Sequence, residues 1–447
     1  MRPLKIWICA GLALIAQGMF ATNYYVVASG STPTPPWTNW GWAHTNLREV
    51  VARAGDNDTV YVTNNATYYL TNSVAVTYAI TIRSWRPDSG LDPTNTIING
   101  NYPNTTNYCF RLWNSGAVLA GLTITNGCNY SGSGGGIYMY QGIITNCIIT
   151  GNRSFRTDGE YGGGGVFLDS CGSSASRASI FNCHIIGNVA SNDGGGIGFE
   201  DGYGPLLISG CVISGNRGVN GGGMGGYRLR NGLFVTNCLI SSNMASGNGG
   251  VFRSSYDSAE FRNCLMIGNT ASSGQGGLDV RSGVVLQNCL VANNVSGWYS
   301  GGLQVTGGKV LNCTVVSNQC HADANGGGMY INSGSPQVEN TIVWGNMKGV
   351  TINNWKVDGG TPSFTNCCTT PTVNAYGTGN ITDDPLFMSP GAGNWRLAAR
   401  SPCVNTGINQ NWMIGTIDLD GRVRIRYGRV DMGTYENIRS ATIYTVR

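Results

Sequence analysis

The sequence predicts an all-β chain wound as one single-stranded, right-handed parallel β-helix, with a short capping helix at its N-terminal end and an irregular C-terminal cap. Three observations point there. A unit of 24 to 36 residues recurs through the middle of the chain. Glycine is 68 of 447 residues, about twice the usual share. Charged residues are 11% of the chain, less than half of what a typical soluble domain carries. Disorder is excluded, because 41% of residues are hydrophobic and the net charge is only +4. That charge is dispersed, without a Lys/Arg run or a basic segment interleaved with aromatics, so nucleic acid is not an expected partner.

The repeat decides the architecture. Its second half reads Asn-Cys-Φ-Φ-x-x-Asn, with Φ apolar. It appears as NCIITGN from Asn146, NCHIIGN from Asn182, GCVISGN from Gly210 and NCLISSN from Asn237, then as NCLMIGN from Asn263, NCLVANN from Asn288, NCTVVSN from Asn312 and NTIVWGN from Asn340. Its first half is a glycine cluster before a short strand, from GGGI at Gly134 to GGGM at Gly326. From Cys147 to Cys367 the cysteine position advances 220 residues in eight steps, a mean of 27.5. Helical repeats are longer and use helix formers, and a leucine-rich repeat needs a leucine lattice that is absent. Units of this length made of Gly, Asn, Val and Ile, each with three short strands, are coils of a parallel β-helix. Crossovers between parallel strands of one sheet are right-handed.

Strand periodicity assigns the faces. The residue two after each Cys is Ile149, Ile185, Ile213, Ile240, Met266, Val291, Val315 or Val343, always apolar, so Cys and this residue share the inward face. The cysteines then stack as small hydrophobes. In-register side chains point the same way, so most of the file is expected to stay as free, buried thiols. The cysteines outside the file (Cys109, Cys128, Cys171, Cys320, Cys368 and Cys403) are the better disulfide candidates, with the pairing open. The recurring asparagines are expected to stack from coil to coil at turns. The residue after the Cys position (Ile148, Val212, Leu239, Leu265, Leu290 and Ile342, interrupted by His184 and Thr314) forms an outward apolar stripe that needs cover from loops, the tail or a partner subunit.

The ends follow in order. Residues 1–21 read as a cleaved signal peptide: Arg2 and Lys5, an apolar run from Ile6 to about Ile15, then the small residues Ala16, Gly18 and Ala21. The run is too short to span a bilayer, and no later segment could, so no transmembrane segment is expected after signal removal. Residues 22–57 hold a first strand and a helix over Thr45–Ala54, with Thr45 or Asn46 as N-cap and Leu47, Val50 and Val51 on one face. Residues 58–370 form the coils and residues 371–447 the C-terminal cap, which closes an otherwise open strand edge.

The glycine-cluster and Φ-x-x-Asn pairs resemble the repeats of polymorphic outer membrane proteins. DPLF from Asp383, SPCVNTG from Ser401, DLDGRVR from Asp418 and VDMGTYE from Val430, with GLTITNG from Gly121, resemble bacterial secreted β-helix proteins with a choice-of-anchor Q segment. The resemblance implies a pectin-lyase-like fold and an extracellular or cell-surface location, and no settled chemistry. No autotransporter barrel follows the repeats, so export by that route is not implied.

Function is sought on the outward positions after the glycine clusters. They concentrate Tyr138, Tyr140, Phe167, Asp169, Glu200, Asp201, Tyr227, Arg228, Arg230, Phe252, Arg253, Asp279, Arg281 and Tyr330 in a chain with few charges. A glycosidase needs two carboxylates roughly 5 to 10 Å apart, and a lyase needs a cation beside a uronate and a base for its α-proton. The catalytic candidates are therefore Asp169, Glu200, Asp201 and Arg228. The binding candidates are Tyr138, Tyr140, Tyr227, Arg230, Arg253, Asp279 and Arg281. A soluble solenoid also needs a solvated face, so ordinary ion ladders stay open as a reading. His44, His184 and His321 lack metal-ligand spacing, and no CxxC pair exists. DLDG from Asp418 suggests a Ca²⁺ loop only superficially, and an Asp-Gly turn is the plainer reading; no cofactor is otherwise expected. The expected role is binding, adhesion or structure outside the cell, toward an extracellular polysaccharide or cell-surface component. The alternative is a polysaccharide lyase or glycoside hydrolase. Oligomeric state stays open.

Overall fold

A computed structural model describes residues 21–437, apart from residues 31, 87–89, 131, 156–161, 170–176, 202–203, 229 and 255–257. The signal segment, except for residue 21, and Cys171 lie outside the described residues. The described chain is a parallel β-solenoid whose coils contribute to four long sheets. The coil after Gly134 shows the order. Ile137–Met139 joins an eleven-stranded sheet, here S1; Gly142–Thr145 joins a thirteen-stranded sheet, S2; Ile148–Thr150 joins a twelve-stranded sheet, S3; and Arg153–Ser154 joins a ten-stranded sheet, S4. The sequence suggested three strands per coil. The fourth arises because the glycine-flanked strand and the strand before Asn-Cys are separate elements divided by a turn. Strands stack in register from coil to coil, Ile149 on Ile185 and Ile213 on Ile240.

Each corner has its residue. The Asn before each Cys adopts a left-handed backbone, with φ of 49° to 56° at Asn146, Asn182, Asn237, Asn263, Asn288, Asn312, Asn340 and Asn366. Among L-residues Asn tolerates that region best after Gly, and the one coil without Asn has Gly210 there, φ 65°. The Asn five residues after Cys does something different. Asn152, Asn188, Asn216, Asn243, Asn269, Asn294, Asn318 and Asn346 are fully buried and form an inward ladder. Each amide Nδ2 donates to the next Asn Oδ1 at 2.9–3.3 Å and to a carbonyl of the preceding coil, as from Asn243 to Ile213. Stacking along the axis therefore holds at turns as expected, and buried polar groups find partners.

The core is one continuous apolar column. The cysteine file lies in it, the backbone N–H of Cys147, Cys183 and Cys211 each donating to the next coil's cysteine Sγ at 3.4 Å. All thirteen described cysteines are free and buried, including Cys109, Cys128, Cys320, Cys368 and Cys403, which the sequence offered for disulfides. Burial pushes the Cys109 and Cys367 thiols up to about 12, so they stay neutral.

The N-terminal plug is a helix, Leu47–Arg53, capped by Asn46, whose Oδ1 accepts from Arg48 N at 3.0 Å. It buries Leu47, Val50 and Val51 over the first coils. The C-terminal segment does more than close the far end. It folds back along the flank and covers the S3 stripe, with Trp395 and Tyr435 on Leu290, Ala292 and Val316, and Leu397 and Met432 on Ile342. The outer asparagines hold it: Asn288 donates to Ile417 O, Asn312 to Asp431 O, Asn340 to Ile408 O and Asn366 to Thr406 O. Arg424, fully buried, donates to Asn288 Oδ1 at 3.1 Å and to Gly433 O at 2.9 Å, beside Glu436 at 3.4 Å. The apolar stripe is thus tail-covered from Leu290 to Ile342, while Ile148, Val212 and Leu239 stay half-buried.

Candidate functional site on the glycine-flanked sheet

The outward row of S1 runs in register through Arg111, Tyr138, Phe167, Gly198, Gly225 and Arg253, and through Asp279, Gln304, Tyr330 and Lys356. Nearly all the stripe candidates fall on this row or in the turn just after it. Phe252 does not: it stacks between Met224 and Leu278 on the inward face, and Arg253 takes the outward position. The stripe is also less solvated than its chemistry suggested, since Phe167, Asp279 and Tyr330 are buried. The glycine cluster lies close over the strand: a Cβ added at Gly134 would lie 3.2 Å from Phe167 Cβ, and one at Gly326 3.3 Å from Tyr330 Cβ. At Gly194, φ 59°, an added Cβ would lie 2.5 Å from Gly198 Cα, so no side chain fits. The structure divides the stripe into three groups.

The first is an aromatic platform. Trp113, 40% exposed, stacks on Tyr140 at 4.2 Å and 18°. The Arg111 guanidinium lies 4.1 Å from the Trp113 ring and 5.1 Å from Tyr138, and donates to Tyr140 Oη at 2.9 Å. Tyr108 and Phe167 extend the rings on either side of Tyr138 at 5.9 and 5.6 Å. The Tyr138 hydroxyl donates to Asp169, and burial together with that carboxylate raises its pKa. Asp169 is therefore a partner of the platform. Tyr108, Arg111 and Trp113 were missed in the sequence because their coil precedes the regular repeat, although FRL aligns with IYM in register.

The second is an ion cluster. Asp201 accepts from Arg228 Nε at 2.7 Å and from Arg230 Nη2 at 2.9 Å, and these bonds hold its carboxyl below the usual range. Arg228 also stacks over Tyr227 at 5.3 Å. A carboxylate clamped by two guanidiniums is a poor base. Glu200 is half-buried in the preceding turn, its backbone tied to Leu168 O.

The third is a polar pocket of about 170 Å³ lined by Asn248, Arg253, Gln275, Asp279, Arg281, Tyr299 and Gln304. Asp279 is 5% exposed. Its Oδ2 pairs with Arg281 Nε at 2.6 Å, while its Oδ1 has no hydrogen-bond partner. Desolvation raises its pKa against the pull of Arg281 and Arg253. Arg253 lies within electrostatic reach of a second buried carboxylate, Asp193. Asn248, Gln275, Tyr299 and Gln304 carry no motif, and only the coil stacking brings them together.

The DLDG segment is a turn. Asp418 accepts from the backbone of Asp420, Arg422 and Glu436, and Asp420 pairs with Arg396 and Arg422, so both carboxylates serve the tail. Among the described residues no group of three or more His, Cys, Asp or Glu is placed to hold a metal ion.

A family model described as "Right handed beta helix region" matches residues 195–369. The fold is a right-handed parallel β-helix. Among solved structures, the β-helix is similar to a rhamnogalacturonan lyase at 12% identity, over 65% of this chain and 82% of that one, with a TM-score of 0.34. That likeness is too low to carry substrate or mechanism. No curated protein matches the chain.

Proposed function

We propose that this β-helix is an exported protein, placed at the cell surface or in the medium, that binds carbohydrate along the outward face of S1. The observation that carries the reading is the pairing, on one face, of a half-buried aromatic platform that exposes Trp113 with a polar pocket. Ring faces such as Trp113 receive the C–H face of a sugar, and the arginine beside them donates hydrogen bonds to its oxygens. Planar amides and guanidiniums, as around the buried Asp279 carboxylate, match a hydroxylated ring edge. Export is supported by the signal-like residues 1–21, and a choice-of-anchor Q type of surface protein by the tail motifs.

The test is a panel of soluble extracellular polysaccharides scored for both binding and turnover. Binding without turnover, weakened at least tenfold by Trp113→Ala, is expected. Retained binding in both Trp113→Ala and Asp279→Asn would reject the face. A second reading, a polysaccharide lyase or glycoside hydrolase, draws on one observation: Asp279 is a buried carboxyl with a raised pKa in a polar pocket, the environment of many acid–base groups. Unsaturated products or new reducing ends that vanish in Asp279→Asn would establish it in place of simple binding.

A further inference from the structure

Cys368 follows the last cysteine of the inward file. Neighbouring residues of a strand point to opposite faces. Cys367 turns into the core, its Sγ 3.3 Å from Val338 O, and Cys368 turns outward beneath the tail. There it is fully buried with Ile342, Leu397, Cys403, Val404 and Met432. The tail delivers Cys403 to the same spot: its N–H donates to Ser401 Oγ at 3.1 Å, and its carbonyl accepts from Met432 N at 3.0 Å. The Cys368 thiol lies in this cluster with the Cys403 sulfur and donates to Asp383 O at 3.3 Å. Two thiols from separate segments therefore face each other in a dry pocket. The file differs, because its cysteines sit side by side at equivalent positions of stacked coils, each backbone N–H donating to the next coil's sulfur, whereas Cys368 and Cys403 come from two segments packed against each other.

We propose that Cys368 and Cys403 form a disulfide when the chain folds in an oxidising compartment, fastening the tail to the last coil. One S–S bond forms and two S–H bonds break. The two electrons and two protons pass to a disulfide oxidant, such as glutathione disulfide or an oxidising thiol–disulfide protein, which leaves as two thiols. The bond closes a loop 35 positions long across the tail's first turn. Such a cross-link acts mainly on the unfolded chain, so it strengthens the docking without rearranging the native contacts. It would hold the cover over the S3 stripe outside the cell, where exported domains rely on such bonds.

The proposal shares only the compartment with the export reading, so the test uses the purified full chain. The chain is reduced in denaturant, refolded in a glutathione/glutathione-disulfide buffer, alkylated in denaturant and digested without reductant for mass spectrometry. A linked peptide pair carrying Cys368 and Cys403 is expected, with Cys147 to Cys313 of the file all alkylated. The oxidised chain should melt several degrees above the same chain in reductant, and Cys403→Ser should abolish both the link and the difference. Cys368→Ser, with folding checked by circular dichroism, serves as the second variant. Full alkylation of both cysteines after refolding, or linkage of Cys403 to a different cysteine, overturns the proposal. Cell fractionation reads export separately, and a cytoplasmic location leaves the refolding result unchanged.

Discussion

Replacing Asn243 by alanine tests the asparagine ladder at mid-solenoid. The side chain makes four hydrogen bonds. Nδ2 donates to Ile213 O and Asn269 Oδ1, both at 2.9 Å, and Oδ1 accepts from Asn216 N and Nδ2, both at 3.0 Å. The site is fully buried, so water does not replace them. Losing Oδ1 orphans the Asn216 N–H, at about 1–3 kcal/mol, and each remaining bond contributes roughly 1 kcal/mol. A loss of about 4–6 kcal/mol follows. The paired control is Asn237→Gly, at the exposed outer corner with φ 54°. Gly210 occupies that corner naturally one coil earlier, so the change should stay within about 0.5 kcal/mol. Urea unfolding followed by circular dichroism gives both values, and amide exchange at residues 212–218 and 239–245 locates the damage. Equal effects at the two positions, or a loss under about 1 kcal/mol for Asn243→Ala, would refute the ladder as a principal support.

Ser242 holds φ 56° at an exposed corner where most coils have glycine. Ser242→Gly should therefore raise stability by about 1 kcal/mol in the same assay, and a decrease would show that its hydroxyl matters more than backbone strain. Burial raises Glu436 to about 8 despite Arg424 beside it. Its protonated form is the one the fold prefers, so its contribution is fully present below the unfolded value of 4.5 and lost as pH rises through about 8. Thermal midpoints from pH 5 to 9 should fall less steeply in Glu436→Gln than in the parent, and identical slopes would count against this origin. Asp279→Asn removes the charge that holds Arg281 at the pocket and should weaken sugar binding severalfold while leaving Trp113 stacking intact, as titration calorimetry can read.

The solenoid was legible because its physics repeats. A period-two face made the Cys and Ile rows inward, and only Asn or Gly suits a left-handed corner, so NC and GC mark the same turn. The fourth strand per coil was not legible, since two- and three-residue strands leave too short a pattern to separate. The disulfide reading of Cys109, Cys128 and Cys320 failed because spacing says nothing about which segment packs opposite a thiol. The tail's path was hidden for a similar reason: its motifs DLDGRVR and VDMGTYE build contacts with Asn288 and Thr314, more than a hundred residues earlier. On S1 the candidates were found as a row, but their grouping was not. Arg228 and Asp201 read as separate catalytic groups in the sequence and form one ion cluster in space. Tyr299 and Gln304 became visible only once Asp279 had neighbours.

The most direct test of the account is hydrogen–deuterium exchange of the whole chain with the tightest ligand from the polysaccharide panel. Protection confined to the S1 edge, at residues 108–113 and 138–140 and around Asp279 and Gln304, with the tail-covered S3 flank unchanged, is the predicted result. Protection on the S3 or S4 faces with S1 unaltered would contradict the assignment of the binding face.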